Sequence, residues 1–341
     1  MLSRSITIII LAFTSFTTSA QTVKNLVFEG AGIRGLAYGG AIAELEERHM
    51  LDSLEKVGGT SAGAITAMML AVGYTAEELT DIVFETPFEE FNSGKYIVFG
   101  GMYRMNKHYG WYMGDKVDKW LGSLLEAKTG NADITFAQLK SEGFKELTVT
   151  GTSLNHQKLM IFSANTYPHM KVRDAVRVSM SVPLYFEAVF VDSVGQVLKE
   201  QPTKGYYDIA VDGGLTANFP IDMFDSVYLE NGRAYRIANP HTLGVRIDTD
   251  PQIEADKQQI GLAEQPIDGL PDYVQAFYTY VLENLNRTHL TPADWKRTIS
   301  VSSAGIGPKV KALDETQREN LFMAGQDGVR EFVDRTMDDG R

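Results

Sequence analysis

Ser61 stands in a sequence context that is typical of a catalytic nucleophile. It is the third residue of Gly59-Thr60-Ser61-Ala62-Gly63, a G-x-S-x-G pattern between an apolar segment at residues 54–57 and a helical segment that ends at Gly73. A strand, a tight turn and a helix in this order raise a serine hydroxyl out of a sheet. The amide of Ala62, at the helix N-terminus, is then placed to donate to a developing oxyanion. The structural alternative is a serine that only caps a glycine-rich helix start.

Asp212 is the candidate base for this serine. It begins Asp212-Gly213-Gly214 at the end of a predicted strand, residues 206–211, and the carboxyl ends of strands are where α/β sheets carry their sites. A carboxylate within hydrogen-bond reach of the hydroxyl can take the proton itself. In a Ser-Asp-His arrangement a histidine would follow Asp212 in chain order, and His241 and His289 are the candidates. The residues alone leave these two arrangements open.

A glycine-rich loop precedes the serine motif. It reads Gly30-Ala31-Gly32-Ile33-Arg34-Gly35, fits G-x-G-x-x-G and follows an apolar strand predicted at residues 23–28. A dinucleotide site needs an acidic residue at the end of the next strand, and Asp52 and Glu55 come too early. The other use of such a loop is an oxyanion hole built from the amides of Gly30, Ala31 and Gly32, with Ile33 as a further candidate. Arg34 would steady the loop, attract phosphate or lie in solvent.

Taken in order, the motifs GAGIRG, GTSAG and DGG closely resemble those of the patatin-like phospholipases and lipid acyl hydrolases. Residues 178–189 and 239–247 are similar to the stretches that flank the family's third motif, so the resemblance spans residues 26–247. It implies that Ser61 is the nucleophile and Asp212 the base of a Ser-Asp dyad that needs no calcium. It also implies an oxyanion segment at residues 30–32, where Ala31 replaces the family's usual middle glycine and requires a compatible φ.

The elements that must position these residues indicate an α/β fold, a three-layer α/β/α arrangement with a mostly parallel central sheet. No linker divides the chain, so we expect a single patatin-like hydrolase domain at residues 21–341, with a C-terminal helical extension. The predicted strands lie at residues 23–28, 54–57, 147–151, 158–162, 206–211, 243–247 and 299–301. The predicted helices lie at residues 33–50, 76–84, 172–180, 271–286 and 315–337.

Two apolar segments add expectations about packing and lipid contact. Residues 84–112 are crowded with aromatic side chains and form either a core-packing loop or a mobile apolar flap over a lipid-binding groove. Residues 271–286 are an amphipathic helix whose apolar face is expected to pack in the core. That face consists of Val274, Phe277, Tyr278, Val281 and Leu285.

The N-terminus has the composition of a secretory signal. Arg4 precedes an apolar run at residues 6–13, and small residues lead to Ala20. The run is shorter than the roughly 20 residues that span a bilayer, so a cleaved signal peptide at residues 1–20 is favoured over a retained anchor. We therefore expect export to the periplasm or full secretion. The chain has no cysteine, which excludes thiol nucleophiles and disulfides.

The net charge of the chain and the spacing of its acidic residues disfavour several classes of partner and cofactor. A formal net charge of −12 disfavours nucleic acid and disfavours adsorption to anionic membranes by charge alone. Lipid can still bind through an apolar patch. Asp248, Asp250 and Glu254 lack the ligand spacing of a calcium loop, so neither a metal nor another cofactor is expected. The oligomeric state is left open by the sequence.

These observations predict a lipid acyl hydrolase, a phospholipase A-type esterase that works through an acyl-enzyme. Its partners would be a phospholipid or another acyl ester and, transiently, a membrane or micelle surface. One alternative is a serine esterase or peptidase with a Ser-His-Asp triad that uses His241. Another is a non-catalytic lipid-binding module on the same fold.

Overall fold

A computed structural model describes residues 22–94, 97–287, 289–307 and 312–338 of the protein. The signal peptide predicted at residues 1–20 lies outside this part of the chain and stays a prediction. Within the described residues, no helix has both the length and the apolar character needed to cross a membrane.

Nine strands in the described part of the chain form one central sheet, and four others form two small pairs. In chain order, the strands are β1 (Asn25–Phe28), β2 (Lys56–Gly59), β3 (Gly110–Tyr112), β4 (Glu146–Ser153), β5 (Lys158–Phe162), β6 (Leu184–Phe186), β7 (Val189–Asp192), β8 (Val197–Leu198), β9 (Tyr207–Asp212), β10 (Ser226–Glu230), β11 (Arg233–Ile237), β12 (Thr242–Asp248) and β13 (Thr298–Ser302). The two small pairs are β3 with β6 and β10 with β11.

The central sheet has the order β13-β12-β1-β2-β4-β9-β7-β8, with β5 added to β4. Strands β13, β12, β1, β2 and β4 run parallel. The pairs β4–β5, β4–β9, β7–β9 and β7–β8 are antiparallel. The α/β class is confirmed, but the sheet is mixed rather than mostly parallel. Turns of four residues join β4 to β5 and β7 to β8, and a connection this short permits only an antiparallel pair.

Helices flank the sheet, and six of the twelve in the described part of the chain lie where the sequence predicts them. In chain order, they are α1 (Ala37–Glu47), α2 (Ala62–Ala71), α3 (Ala76–Glu85), α4 (Ile97–Lys107), α5 (Asp115–Thr129), α6 (Phe136–Ser141), α7 (Val172–Ser179), α8 (Gly214–Ala217), α9 (Asp250–Gln258), α10 (Leu270–Arg287), α11 (Pro292–Lys296) and α12 (Glu315–Asp338). A 3-10 turn, Gly32–Leu36, replaces the first turn of the helix predicted at residues 33–50.

Small residues let the first helix pack tightly. Strand β1 is buried along its whole length. Helix α1 lies against α12 so closely that a Cβ on Gly40 would overlap the carbonyl oxygen of Phe322. The apolar side chains of α1 and α2 join the same hydrophobic core. This packing holds in place the connection between β1 and α1, which contains the glycine loop.

The aromatic segment at residues 84–112 is part core and part surface. Phe88 and Phe91 pack edge-on or tilted against Trp120 of α5, as a core-packing loop would. Met102 and Tyr103 of α4 are largely exposed, as a flap would be. The sequence did not predict α4 because glycines interrupt its apolar period.

The core packing predicted for the apolar face of residues 271–286 is wrong for Phe277 and Val281. Helix α10 forms as expected, but Phe277 is 58% exposed and Val281 is 39% exposed. The side chains of Val274, Tyr278 and Leu285 lie outside the described part of the structure. Periodicity reveals that a helix has one apolar side, whereas tertiary packing decides whether another element covers that side.

The sheet also fixes the start of α2. Residue Gly63 follows the turn after β2, and a Cβ there would lie 2.5 Å from the carbonyl oxygens of both Phe28 and Glu29. These are rigid backbone atoms at the end of β1, so they cannot move aside. The helix that follows Ser61 therefore contacts the carboxyl end of the neighbouring strand directly.

We predict that Gly63→Ala lowers the free energy of unfolding by about 3 kcal/mol, because overpacking against backbone cannot be relieved by a side-chain rotation. Urea unfolding monitored by circular dichroism measures this change. Gly307→Ala is the matched control, since a Cβ at Gly307 meets no atom within 4 Å. Equal stabilities of the two variants would contradict the contact.

Candidate active site

Ser61 occupies a strained turn between β2 and α2. Its backbone has φ 52° and ψ −119°, a conformation that non-glycine residues rarely adopt. The Ser61 amide donates to the Ser179 hydroxyl at 2.9 Å, and the Gly63 amide donates to the Thr60 carbonyl at 2.8 Å. Strain of this kind persists only where surrounding contacts enforce it, and such positions cluster at functional sites.

Strand register brings Asp212 to the level of Ser61. In the sheet, Gly59 pairs with Val149 of β4, and two residues further along β4, Gly151 pairs with Asp212. Asp212 ends β9, which runs antiparallel to β4, so it approaches the site from the opposite direction to the parallel strands. The Asp212 amide donates to the Ser181 carbonyl at 2.9 Å. Its carboxylate is therefore fixed at the edge that carries the serine turn.

The Asp212 carboxylate is buried, and only 6% of the residue is exposed. Its Oδ1 accepts the Gly214 amide at 2.7 Å, and the Ser61 hydroxyl lies near enough to the carboxylate to lower its pKa. Burial raises the pKa of Asp212 to about 6, while the Gly214 amide and the Ser61 hydroxyl limit the rise. A carboxylate with this pKa is ionised at neutral pH and is a stronger base than an exposed aspartate.

The glycine loop lies directly against the serine turn. A Cβ on Gly30 would lie 3.4 Å from the Ser61 Cβ, and one on Gly35 would lie 2.9 Å from the Ala62 Cβ. Ala31 has φ −130°, which an L-residue adopts freely, so the alanine is compatible with the loop. Gly32 has φ 56° and is the position that favours glycine.

Several backbone amides of this loop and of the start of α2 are available as donors. Among the described residues, no acceptor bonds the amides of Ala31, Gly32, Ile33 or Ala62. The Gly30 amide differs, because it donates to the Asn218 carbonyl at 2.9 Å. The expectation that Gly30 donates to the oxyanion is therefore revised: its amide holds the loop in place instead.

The remaining motif residues support these positions. Arg34 steadies the loop, because its Nε donates to the Ala31 carbonyl at 3.1 Å. A Cβ on Gly59 would lie 2.7 Å from the Phe28 carbonyl oxygen, and one on Gly213 would lie 2.8 Å from the Thr150 carbonyl oxygen. These glycines allow the strands and turns around Ser61 and Asp212 to approach each other closely.

Asn218 joins the glycine loop to the loop that follows Asp212, and the sequence analysis did not identify it. Its Nδ2 donates to the Gly30 carbonyl at 3.1 Å and to Glu29 Oε1 at 3.2 Å. Its own amide donates to Asn286 Oδ1 at 2.6 Å, and Asn286 Nδ2 donates to the Gly214 carbonyl at 3.1 Å. The only sequence signal is its place six residues after Asp212, in DGGLTAN.

A buried ionic network lies behind the loop. Glu29 Oε2 accepts the Ile247 amide at 3.1 Å, and Glu29 Oε1 lies 3.4 Å from Nη2 of the buried Arg246. Burial raises the pKa of Glu29 above its usual range, against the opposing effect of Arg246. Asp248, considered above as a calcium ligand, accepts hydrogen bonds from Arg246 at 2.6 Å and from Arg287 at 2.9 Å. Among the described residues, no cluster of three or more histidine or acidic side chains could hold a metal ion.

The structure does not bring His241 to the serine. His241 precedes β12, its carbonyl accepts the amides of Lys24 and Asn25, and its Nδ1 lies 3.0 Å from the Thr22 carbonyl oxygen. It therefore lies at the amino ends of β1 and β12, whereas Ser61 follows the carboxyl end of β2. The other candidate, His289, is exposed in the turn after α10. Within the described residues, no histidine hydrogen-bonds to Asp212.

Comparison with known proteins agrees with this fold and site. The family model described as "Patatin-like phospholipase" matches residues 26–225, which include the glycine loop, Ser61 and Asp212. The chain therefore belongs to the patatin-like phospholipase family.

Relatives and solved structures extend the comparison. An uncharacterised protein of Acanthamoeba polyphaga mimivirus, R571, is 31% identical over 317 residues, which cover 92% of this chain and 95% of that protein. A protein of Invertebrate iridescent virus 6 named "Probable lipid hydrolase 463L" is 25% identical over 61% of this chain and 66% of its own. VipD from Legionella pneumophila shares the fold, with a TM-score of 0.56 and 17% identity over 93% of this chain and 67% of VipD.

We predict that Asp212→Asn stabilises the protein at neutral pH while it removes the proposed base. The folded-state pKa of Asp212, about 6, lies above the unfolded value of about 3.9, so the folded protein holds the proton more tightly. Stability contributed by the protonated carboxyl is thus present below pH 4 and is lost as pH rises through 6. The variant should exceed wild type by about 3 kcal/mol above pH 6 and match it below pH 4.

Urea unfolding at pH 3.5 and pH 7.5 measures this difference. Asp334→Asn, at an exposed position on α12, is the control and should change stability little at either pH. A stability difference for Asp212→Asn that does not depend on pH would contradict the raised pKa.

We also predict that Asn218→Ala lowers kcat about 10- to 100-fold with little change in KM, because the two loops lose their link and shift relative to each other. Steady-state ester hydrolysis by the folded variant measures both constants. Asn165→Ala, which changes an exposed asparagine in the loop after β5, is the control. An unchanged kcat for Asn218→Ala would show that the loops hold their positions without this side chain.

Proposed function

We propose that the protein is a lipid acyl hydrolase in which Ser61 and Asp212 form a catalytic dyad. The single observation that carries the proposal is that the Ser61 hydroxyl lies beside the buried Asp212 carboxylate and lowers its pKa. A base must reach the proton that it accepts, and this contact satisfies that requirement with no third residue.

In the proposed acylation step, Ser61 is the nucleophile and Asp212 is the base. Ser61 Oγ attacks the ester carbonyl carbon while its proton passes to Asp212, and the carbonyl oxygen becomes an oxyanion. The amides of Ala31, Gly32 and Ala62 are the donors proposed to bind that oxyanion, with Ile33 beside them. The tetrahedral intermediate then expels the alcohol, which takes the proton from Asp212, and leaves an acyl-Ser61 ester.

Deacylation repeats these steps with water. Asp212 accepts a proton from a water molecule while the oxygen of that water attacks the acyl carbonyl carbon. Collapse of the second tetrahedral intermediate releases the fatty acid and returns the proton to Ser61 Oγ. The helix α2 begins at Ala62, so its dipole adds to the stabilisation of both oxyanions.

The proposed substrate class rests on the family and on the net charge of the chain. Membership of the patatin-like phospholipases and the name of the iridovirus relative support an acyl ester of a lipid, with phospholipase A-type cleavage as the finer proposal. The chain carries a net negative charge, so we propose that its contact with a membrane or micelle is transient and apolar rather than electrostatic.

Hydrolysis of p-nitrophenyl butyrate and of phosphatidylcholine in EDTA tests the proposal. We expect Ser61→Ala to lower kcat/KM at least about 1,000-fold and Asp212→Asn to lower it about 100- to 10,000-fold. His241→Ala is the control and should keep wild-type activity, since His241 lies at the other edge of the sheet. The wild-type kcat/KM should rise with pH to a plateau above about pH 6, as Asp212 loses its proton.

Other outcomes point to the alternatives. Loss of activity in folded His241→Ala would refute the dyad and favour a histidine triad. Absence of activity in wild type, together with binding to phosphatidylcholine films, would favour the non-catalytic lipid-binding module. Activity that EDTA removes would contradict metal-independent catalysis.

A further inference from the structure

Leu184 combines two features that folding alone does not favour. Its backbone has φ 67°, and it is the only branched aliphatic residue with positive φ among the described residues. A bulky side chain in this conformation is a genuine outlier. The residue is also 58% exposed, so burial offsets little of the strain. An outlier of this kind is a reason to look for a function at the position.

The segment that carries Leu184 is attached to both dyad residues. It connects α7 to β6, and it begins beside Ser179, whose hydroxyl accepts the Ser61 amide at 2.9 Å. Two residues later, the Ser181 carbonyl accepts the Asp212 amide at 2.9 Å. Leu184 follows Ser181 by three residues, which span at most about 10 Å. Leu184 therefore lies close to the backbone contact that holds Asp212.

Neighbouring contacts hold this segment in its strained shape. The amides of Tyr185 and Phe186 both donate to the Val182 carbonyl, at 3.1 and 3.0 Å. Arg177 donates to the Ser181 hydroxyl and, at 3.0 Å, to the Met113 carbonyl. Leu184 also pairs with Gly110 where β6 joins β3. The fold thus enforces the exposed position of Leu184 from several sides.

Leu184 has an exposed apolar neighbour on the same segment. Val182 is 45% exposed, and Met113, which follows β3, is 38% exposed. These exposed apolar side chains offer hydrocarbon surface to a ligand. A hydrocarbon chain that leaves the ester carbonyl at Ser61 would cover them and remove that surface from water.

We propose that Leu184 is a specificity-determining residue that contacts the acyl chain of the ester bound at Ser61 and selects for longer chains. The proposal rests on the proposed function, because it assumes an acyl ester at Ser61. Strain at Leu184 is then explained by the need to present its side chain to substrate rather than to the core. Val182 adds a second exposed apolar side chain on the same segment.

The test compares wild type with Leu184→Gly and Leu184→Ala on p-nitrophenyl acetate, butyrate and octanoate. We expect the ratio of kcat/KM for octanoate to kcat/KM for acetate to fall about tenfold in both variants, with acetate hydrolysis nearly unchanged. Leu184→Gly should also keep or raise the unfolding midpoint, because glycine adopts positive φ without strain. A leucine kept for stability would give the opposite result, a midpoint lowered by several degrees.

Gln259→Gly is the matched control, since Gln259 has φ 57° at the end of α9 and lies outside the site. It should keep the wild-type chain-length ratio. An unchanged ratio in Leu184→Gly, or a uniform loss of activity on all three esters, would overturn the proposal.

An assay of lauric acid binding separates this proposal from the proposed function. The binding is measured through the displacement of a fluorescent fatty acid. If wild type hydrolyses no ester but Leu184→Gly binds lauric acid about tenfold more weakly, the hydrolase proposal fails and the chain-binding role of Leu184 stands. If wild type hydrolyses the esters in a Ser61-dependent way and Leu184→Gly binds lauric acid as wild type does, only the Leu184 proposal fails.

Discussion

The contact between the start of α2 and the end of β1 is the constraint on which the site depends. Gly63 lies against the carbonyl oxygens of Phe28 and Glu29, and no side chain fits between them. The chain must therefore turn sharply within three residues of β2, and Ser61 takes positive φ as a result. The same contact sets Ala62 beside the glycine loop, because that loop continues directly from β1. One packing requirement thus brings together the hydroxyl, the helix N-terminus and the loop amides.

The pKa of Asp212 depends on two opposing effects, burial and hydrogen bonding. Burial makes the carboxylate a better base, but the folded protein then carries a charge that is poorly solvated at neutral pH. The Gly214 amide and the nearby Ser61 hydroxyl compensate only in part. Asn218 and Asn286 connect this loop to the glycine loop without adding charge beside the carboxylate. The buried charges of Arg246 and its partners lie behind the loop, so the polar links near Asp212 are mostly neutral.

Local patterns in the sequence were sufficient to find the residues that meet at the site. The turn around Ser61, the loop at residues 30–35 and the acid at Asp212 each depend on a few neighbours, and glycine spacing records that dependence. The reason given for Asp212 was incomplete, because β9 is antiparallel and only its register with β4 brings the acid to the serine. The role of Asn218, the bonded amide of Gly30 and the exposure of Phe277 and Val281 on α10 depend on contacts between distant segments. No pattern within a single segment encodes such contacts.

The link through Asn286 bears on how this protein can be produced. Asn286-Arg287-Thr288 is an N-x-[ST] acceptor sequence for N-linked glycosylation. In the folded protein the Asn286 side chain is nine-tenths buried and holds both Asn218 and the Gly214 loop. A glycan added to the nascent chain in a eukaryotic secretory pathway would occupy the same amide nitrogen. The sugar and the joined loops exclude each other, so a host that does not attach N-linked glycans suits this chain.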